Sequence, residues 1–224
     1  MSDLSLSEML KAGIHFGHKT AKRHPKMDPF IFGTKKEISV IDLEKTKEAL
    51  EKAMEVVGQL TEQNKTILFV GSKRQVKAIV KKGATECNMP YINERWIGGL
   101  ITNFNSVSGT LKKLTKLKKG KESGDWEKYT KKERLQLDRE ITKLERVVGG
   151  IEKMDKIPDM IFIIGVKDEA TAIREANNRK IPIIGICDTN ANPDKITYPI
   201  PANDDAVKSI EYIVGKISEA IKNK

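Results

Sequence analysis

Lys73, Arg74 and Lys77 follow directly on Ile67-Leu-Phe-Val-Gly71, an apolar run closed by glycine. Cationic side chains at the carboxyl end of a buried strand suit a phosphate, because open α/β sheets take their ligands there. A nucleotide-binding turn would use Gly-x-Gly-x-x-Gly or Gly-x-x-x-x-Gly-Lys-Ser/Thr, so that bare backbone amides reach the pyrophosphate. Gly71-Ser-Lys-Arg-Gln-Val76 has one glycine and two cations instead, a composition better matched to an extended polyanion than to a small cofactor. The other reading of this segment is a solvated helix start. Arg95-Trp96 is a second candidate, since a guanidinium can hold a phosphate while an indole stacks on a base. Its competing reading is a core Trp96 with Arg95 ion-paired to Glu94.

Hydrolytic or metal chemistry has weaker support. His15 and His18 lie at i, i+3 with His24 nearby, and Asp188, Asp204 and Asp205 could add carboxylates for a divalent ion. There is no His-Glu-x-x-His and no cysteine pair, so the histidines are expected to serve as loop hydrogen-bonders or phosphate contacts, with no metal and no cofactor. Asp188 and Asp204-Asp205 could act as acid and base, but aspartates before helices are expected to be caps. Neither Cys87 nor Cys187 has a cationic neighbour to activate its thiol. The chain therefore reads as a binding protein, with a phosphate-binding enzyme on the same fold as the alternative.

The whole composition points the same way. The 224 residues carry 41 lysines and arginines against 31 acids, a formal net charge of +10. That balance calls for an acidic partner, nucleic acid before anionic membrane. No apolar run approaches the roughly 18 residues of a membrane span, and Ser2–Lys11 lacks the basic start and apolar centre of a signal peptide. Two cysteines far apart in apolar contexts are expected to be buried thiols rather than a disulfide, and a soluble cytoplasmic protein is the result. The charge is uneven. Seven cations between Lys11 and Lys36 face Asp28 alone, and residues 105–156 hold fifteen cations and nine acids. From residue 157 onward nine cations meet ten acids. Lys19, Lys22, Arg23, Lys26, Lys35 and Lys36 accordingly join Lys73, Arg74, Lys77, Arg95 and Trp96 as the candidate RNA-binding set.

The elements that must position these residues can be read from periodicity. Ser5 or Ser7 can cap a short helix that stops at Gly13. Residues 14–27, rich in His, Lys, Gly and Pro, read as a loop with no core pattern. Residues 30–42 read as two short strands around a Gly33-Thr-Lys-Lys36 turn. A helix follows over residues 43–60 with Leu50, Met54 and Val57 as its stripe, and Asn64 sits at its C-cap. Ile67–Val70 is a strand buried on both faces, and Ser72 can cap the next helix, which buries Val76, Ile79 and Val80. Phe104, Val107, Leu111 and Leu114, then Leu137, Ile141, Leu144, Val148 and Ile151, form two heptad seams joined by a polar link. They read as an antiparallel coiled-coil hairpin over residues 105–151, with Trp126 and Tyr129 near its tip; the alternative is two amphipathic helices lying on the sheet. Residues 160–165, 181–187 and 198–201 are further strands, the last an edge strand because of its prolines. Asp204 starts the closing helix. The sum is a flavodoxin-like, doubly wound, mostly parallel α/β unit of residues 1–104 and 152–224 with the hairpin inserted.

Nine stretches in order resemble one family: Ile14-His-Phe-Gly-His18, Pro25-Lys-Met27, Ile31-Phe-Gly33, Ile41-Asp-Leu-Glu-Lys-Thr46, Leu68-Phe-Val-Gly-Ser-Lys-Arg74, Arg95-Trp-Ile-Gly-Gly-Leu-Ile-Thr-Asn103, Glu175-Ala-Asn-Asn178, Asp188-Thr-Asn190 and Pro201-Ala-Asn-Asp-Asp-Ala206. They look like the bacterial small-subunit ribosomal protein S2 family, over nearly the whole chain. Arg23-His24, where Trp-Asn is common, and Glu94 before Arg95-Trp96 depart from the pattern. The resemblance implies a structural, non-enzymatic role in translation, bound to small-subunit ribosomal RNA between head and body. It also implies contacts with neighbouring ribosomal proteins, S1 included where that protein is present, and no membrane or small-molecule substrate.

Overall fold

The computed structural model describes residues 4–223; positions 1–3 and 224, the outermost of the expected α/β unit, lie outside it. Its centre is a five-stranded, all-parallel sheet of β4 (Ile67–Val70), β5 (Tyr91–Ile92), β6 (Met160–Ile164), β7 (Ile183–Cys187) and β8 (Tyr198–Pro201). The spatial order is β5-β4-β6-β7-β8. Ranked by chain position this is 2-1-3-4-5, so the strand order reverses between β4 and β6, the crevice where such sheets take ligands. Every residue of β4, β6 and β7 is buried, as continuous apolar runs between two helical layers require. Pro199 and Pro201 lie in β8 on the sheet's edge, where a missing N–H costs no ladder bond.

The alternation of side chains divides the core in two. Ile67 and Phe69 face one layer, with Phe162, Ile184, α2 (Leu43–Glu62), α3 (Lys77–Glu86) and α7 (Val207–Lys222). Phe69 and Phe162 meet edge to face at 5.2 Å between ring centroids, and each fully buried ring contributes about 1.5–3 kcal/mol of transfer free energy. Leu68 and Val70 face the other layer with Ile161, Ile163 and α6 (Ala170–Asn178). The two heptad-patterned segments are helices, α4 (Phe104–Glu122) and α5 (Lys131–Val148), the second opened by a Thr130/Glu133 capping box. Val107, Leu111, Leu114, Ile141 and Val148 belong to the same buried cluster as Leu68 and Ile161. Outward along the pair Leu137 is half-buried and Leu135 is 50% exposed, while Lys113–Glu140 and Lys121–Asp138 ion pairs link the two helices. Gly150 lets the chain leave α5 beneath β5, since a Cβ there would lie 2.2 Å from the Tyr91 carbonyl oxygen.

Several local expectations are corrected. The short helix α1 (Leu6–Ala12) does stop at Gly13, whose φ of 76° is the left-handed cap geometry, though Ser5 makes no side-chain cap bond. Residues 14–27 are not a coreless loop: they hold β1 (Phe16–Lys19) and two 3-10 turns, with Ile14 and Met27 fully buried. With β2 (Ile31–Lys35) and β3 (Ile38–Ile41), β1 completes a separate antiparallel sheet in the order β1-β3-β2. The hairpin turn is Lys36-Glu37, both with positive φ (49° and 63°), as a two-residue turn of this hand needs, and Gly33 lies inside β2. Ser72 caps nothing. The chain makes a further loop and α3 begins at Lys77. Asp204 and Asp205 do not cap α7 either; the Asn203 side chain accepts from the Asp205 and Ala206 amides instead, at 2.8 and 3.0 Å.

Candidate nucleic-acid interface

The carboxyl ends of four parallel strands deliver one charged cluster. Lys73 follows β4, Asp168 follows β6, Asp188 follows β7 and Asp204-Asp205 follow β8. The Lys73 Nζ lies 2.7 Å from Asp204 Oδ1, 2.9 Å from Asp205 Oδ1 and 3.4 Å from Asp168 Oδ2. Its side chain is 18% exposed and that of Asp204 only 1%. Lys73 is thus an internally paired cation in this structure, not the exposed one expected from its local sequence. Burial works against the charge on Lys73, but hydrogen bonds and attraction from Asp204 and then Asp205 outweigh it and raise its pKa. Burial pushes Asp204 up to about 6 even though Lys73 pulls it down.

The ligand crevice between β4 and β6 is therefore filled by the protein's own groups. A Cβ on Gly165 would meet the Lys73 Cε at 3.3 Å. The Ser72 amide, the donor that a nucleotide phosphate would take in this fold, donates to the buried carboxylate of Glu169 at 2.9 Å. A carboxyl group of the protein thus already takes that amide donor.

His18 joins this cluster from the other sheet. Its Nδ1 lies 3.1 Å from Asp188 Oδ1 and its Nε2 3.3 Å from Asp205 Oδ2. The hydrogen bond to Asp188 raises its pKa, burial opposes, and the charges of Asp188, Asp205 and Asp204 add to the rise. Among the described residues His18, Asp188 and Asp205 are the set whose donor atoms converge closely enough for a metal ion. They satisfy one another here through both ring nitrogens, so an ion would have to displace one of those contacts. His15 and His24 are elsewhere: burial and then Lys35 lower the His15 pKa, and His24 Nδ1 accepts from the Lys26 amide. Thr189 seats the three-stranded sheet on the end of β7. Its hydroxyl accepts from the His18 amide (2.9 Å), its carbonyl accepts from the His24 amide (2.8 Å), and a Cβ on Gly17 would come within 2.4 Å of its methyl.

The loop after β5 carries Arg95 and Trp96 and is held by a carboxylate that sequence reading assigned no role. Glu175 Oε1 accepts from Trp96 Nε1 and the Gly99 amide, both at 2.9 Å. Its Oε2 accepts from the Ile101 amide (3.2 Å) and from the amide and hydroxyl of Thr102 (3.4 and 3.2 Å). Burial alone would raise the Glu175 pKa; these donors, Trp96 first, hold it below the ordinary value. Glu94 pairs with Lys77 at 2.8 Å, not with Arg95. Trp96 is half-buried, and Arg95 is exposed.

The candidate cations accordingly separate into two groups. Lys73 and Lys77 are internally paired, Arg23 pairs with Asp28 (3.0 Å), and Lys26 pairs with Asp194 (2.9 Å). Lys19, Lys22, Lys35, Lys36, Arg74 and Arg95 are exposed, and among the described residues none of them has a carboxylate in ion-pair reach. Both cysteines are buried and free. Among the described residues no helix is long and apolar enough to cross a membrane.

A family profile described as Ribosomal protein S2 matches residues 9–224. The chain is 48% identical over 221 residues to the small ribosomal subunit protein uS2 of Chloroherpeton thalassium, covering 99% of this chain and 88% of that one. Similarity to the proteins of the same name from Hahella chejuensis (44%, 98% and 87% covered) and Coprothermobacter proteolyticus (44%, 99% and 82% covered) is as extensive. Matches that span nearly the whole of this chain lead to one assignment: the chain belongs to the ribosomal protein S2 family.

Proposed function

We infer that this chain is a structural, non-enzymatic component of the small ribosomal subunit, held on ribosomal RNA by its unpaired surface cations. The observation that carries the reading is the contrast at the strand ends. The one crevice where a flavodoxin-like sheet would bind a small phosphate compound is filled by Lys73 and Glu169. Lys19, Lys22, Lys35, Lys36, Arg74 and Arg95 meanwhile remain open to a polyanion. The 2-1-3-4-5 strand order supports the flavodoxin-like description. Paired Lys77, Arg23 and Lys26 then serve mainly to orient loops, and Trp96 to fix the Arg95 segment. A cytoplasmic location follows from assembly into ribosomes.

The test is co-sedimentation and filter binding with small-subunit ribosomal RNA across a salt series. Log K should fall by roughly 0.7–0.9 per phosphate neutralised for each tenfold rise in salt. Replacing Lys19, Lys22, Lys35 and Lys36 together with alanine should flatten that slope by about three units. Exposed sites of this kind shift stability by only about 0.5 kcal/mol each. A slope unchanged by the four substitutions, or no salt dependence at all, would remove the basis of the reading.

Residues 105–151 act in this reading as a coiled-coil protrusion that contacts neighbouring small-subunit proteins, S1 included where present. Its seam burial is graded, complete at Leu114 and partial at Leu137. Replacing 116–136 by a short Gly-Ser link should therefore leave cooperative thermal unfolding intact while weakening capture of neighbouring subunit proteins. Replacing 106–148 should lower the melting temperature sharply, because Val107, Leu111, Leu114 and Ile141 help to enclose the second core layer. Equal melting temperatures for the two deletions would show that the root is dispensable.

A further inference from the structure

The lysines of α4 divide into two sets. Lys113, Lys118 and Lys121 pair with Glu140, Glu145 and Asp138 of α5. Lys112, Lys116 and Lys119 are exposed, and among the described residues none of them has a carboxylate in ion-pair reach. At 3.6 residues per turn these three fall within roughly 60° of one another, on the side of α4 turned away from α5. They line a groove of about 1250 Å³ that runs along α4, larger than the roughly 300–1,000 Å³ of small-molecule sites. Trp126 and Tyr129 wall it at the tip of the hairpin, and Leu111 and Met154 at its root. Tyr129 is 39% exposed. The Trp126 indole is seated on Gly120, where a Cβ would lie 3.0 Å from its Nε1. Asp125 lines the groove at the tip and Asp155 at the root, so the row of cations ends in a carboxylate at either side.

We propose that this groove takes an acidic amphipathic helix of a neighbouring small-subunit protein, its carboxylates on Lys112, Lys116 and Lys119 and its apolar face against Trp126 and Met154. The inference rests on the protrusion reading above and adds to it a surface and the chemistry of the partner. From Ser108 to Ser123 the groove side of α4 runs about 22 Å, the length of a helix of about 15 residues. Acids spaced four and three apart on such a helix would repeat the lysine spacing, while its apolar stripe fills the groove. RNA fits less well. A phosphate chain following the lysines would carry unbroken negative charge onto Asp125 or Asp155, a like-charge contact that costs binding, whereas a peptide can place a cation at each end.

The experiment places the photo-cross-linker p-benzoylphenylalanine at Thr115, which lines the groove between the lysines, in the full chain assembled into small subunits. After irradiation, mass spectrometry should find a helix of another subunit protein joined to it, with acids at the predicted spacing. Adding Lys112→Ala, Lys116→Ala and Lys119→Ala should lower the cross-link yield roughly three- to hundredfold, more at low salt than at high, with melting temperature nearly unchanged. Cross-links to a segment without acids, or a yield unmoved by the three substitutions, would overturn the proposal. Cross-links to ribosomal RNA alone would overturn it and assign the groove to RNA. Weakened capture of neighbouring proteins on deleting 116–136, with no protein cross-link from Thr115, would overturn the groove and leave the protrusion reading intact. Failure of the unmodified chain to enter small subunits would instead remove the ribosomal reading on which the proposal rests.

Discussion

Lys73→Ala is expected to destabilise the fold by about 3–5 kcal/mol, the range for breaking a buried ion pair by removing one partner. An exposed lysine would cost about 0.5 kcal/mol or less. The difference arises because Asp204 cannot reach water: its side chain is 1% exposed and its second oxygen, Oδ2, has no hydrogen-bond partner. The loss should depend on pH in a definite direction. Asp204 already titrates near 6 in the presence of Lys73, and deleting the lysine removes what holds it down, so its folded pKa climbs further. A carboxyl whose folded pKa is raised favours the fold below its unfolded value and loses that contribution as pH rises through the folded one. The deficit of the variant should therefore be small at and below about pH 6 and widen above it. Chemical denaturation at several pH values would measure this. Lys73→Met should resemble Lys73→Ala, and adding Asp204→Asn to it should recover much of the loss. A change near 0.5 kcal/mol at neutral pH would mean that the ammonium is solvated after all.

The sequence carries the parallel sheet clearly but the cluster at its mouth only in outline. Ile67–Val70, Met160–Ile164 and Ile183–Cys187 are unbroken apolar runs, and a run of that kind has few places to go except between two helical layers. The three-stranded sheet is half legible. β2 and β3 show themselves, but Phe16-Gly-His-Lys19 shows no clean alternation, because its register against β3 is irregular. Its core contacts come from Ile14 and Met27, outside the strand. The Lys36-Glu37 turn is hidden for a related reason: neither residue is one that favours positive φ, while Gly33, which would, sits in open space within a strand.

The pairing of Lys73 is hidden from local sequence, which reports spacing along one element and not what neighbouring strands bring to the same end. A signal was nevertheless present. Asp168, Asp188, Asp204 and Asp205 all follow predicted strands, so a parallel sheet must gather them on the side where Lys73 emerges. One lysine among four aspartates at strand ends is more readily an internal counter-ion than a free phosphate ligand. The heptad seams specify helices, as α4 and α5 are, but seam spacing does not say how much of each helix joins the core. Only the continuity of Leu111 and Leu114 with Leu68 and Ile161 does.

Glu175→Ala should be comparably damaging, with about 3 kcal/mol or more lost, because five donors on the segment from Trp96 to Thr102 lose one charged acceptor. Hydrogen bonds to charged groups contribute about 1.5–3 kcal/mol each, and a buried donor left unpaired costs about 1–3 kcal/mol; partial access of water to Thr102 keeps the total below the simple sum. Glutamine should not rescue the change. It offers one carbonyl oxygen in place of two, and its amide N–H groups would face N–H donors. The clue in the sequence is position, since Glu175 falls on the helical face that also holds Ala172, Ile173 and Ala176, all buried. A charge on an apolar stripe must find partners across the interface or leave it. The readout is hydrogen exchange at the Gly99, Ile101 and Thr102 amides, which should accelerate well beyond what global destabilisation accounts for, together with a shift in Trp96 fluorescence. Arg95 rides on the same segment, so RNA affinity should fall with Glu175→Ala even in buffer where the variant remains folded. Unchanged exchange at those three amides would mean that the loop is held by its packing and that the carboxylate is incidental to it.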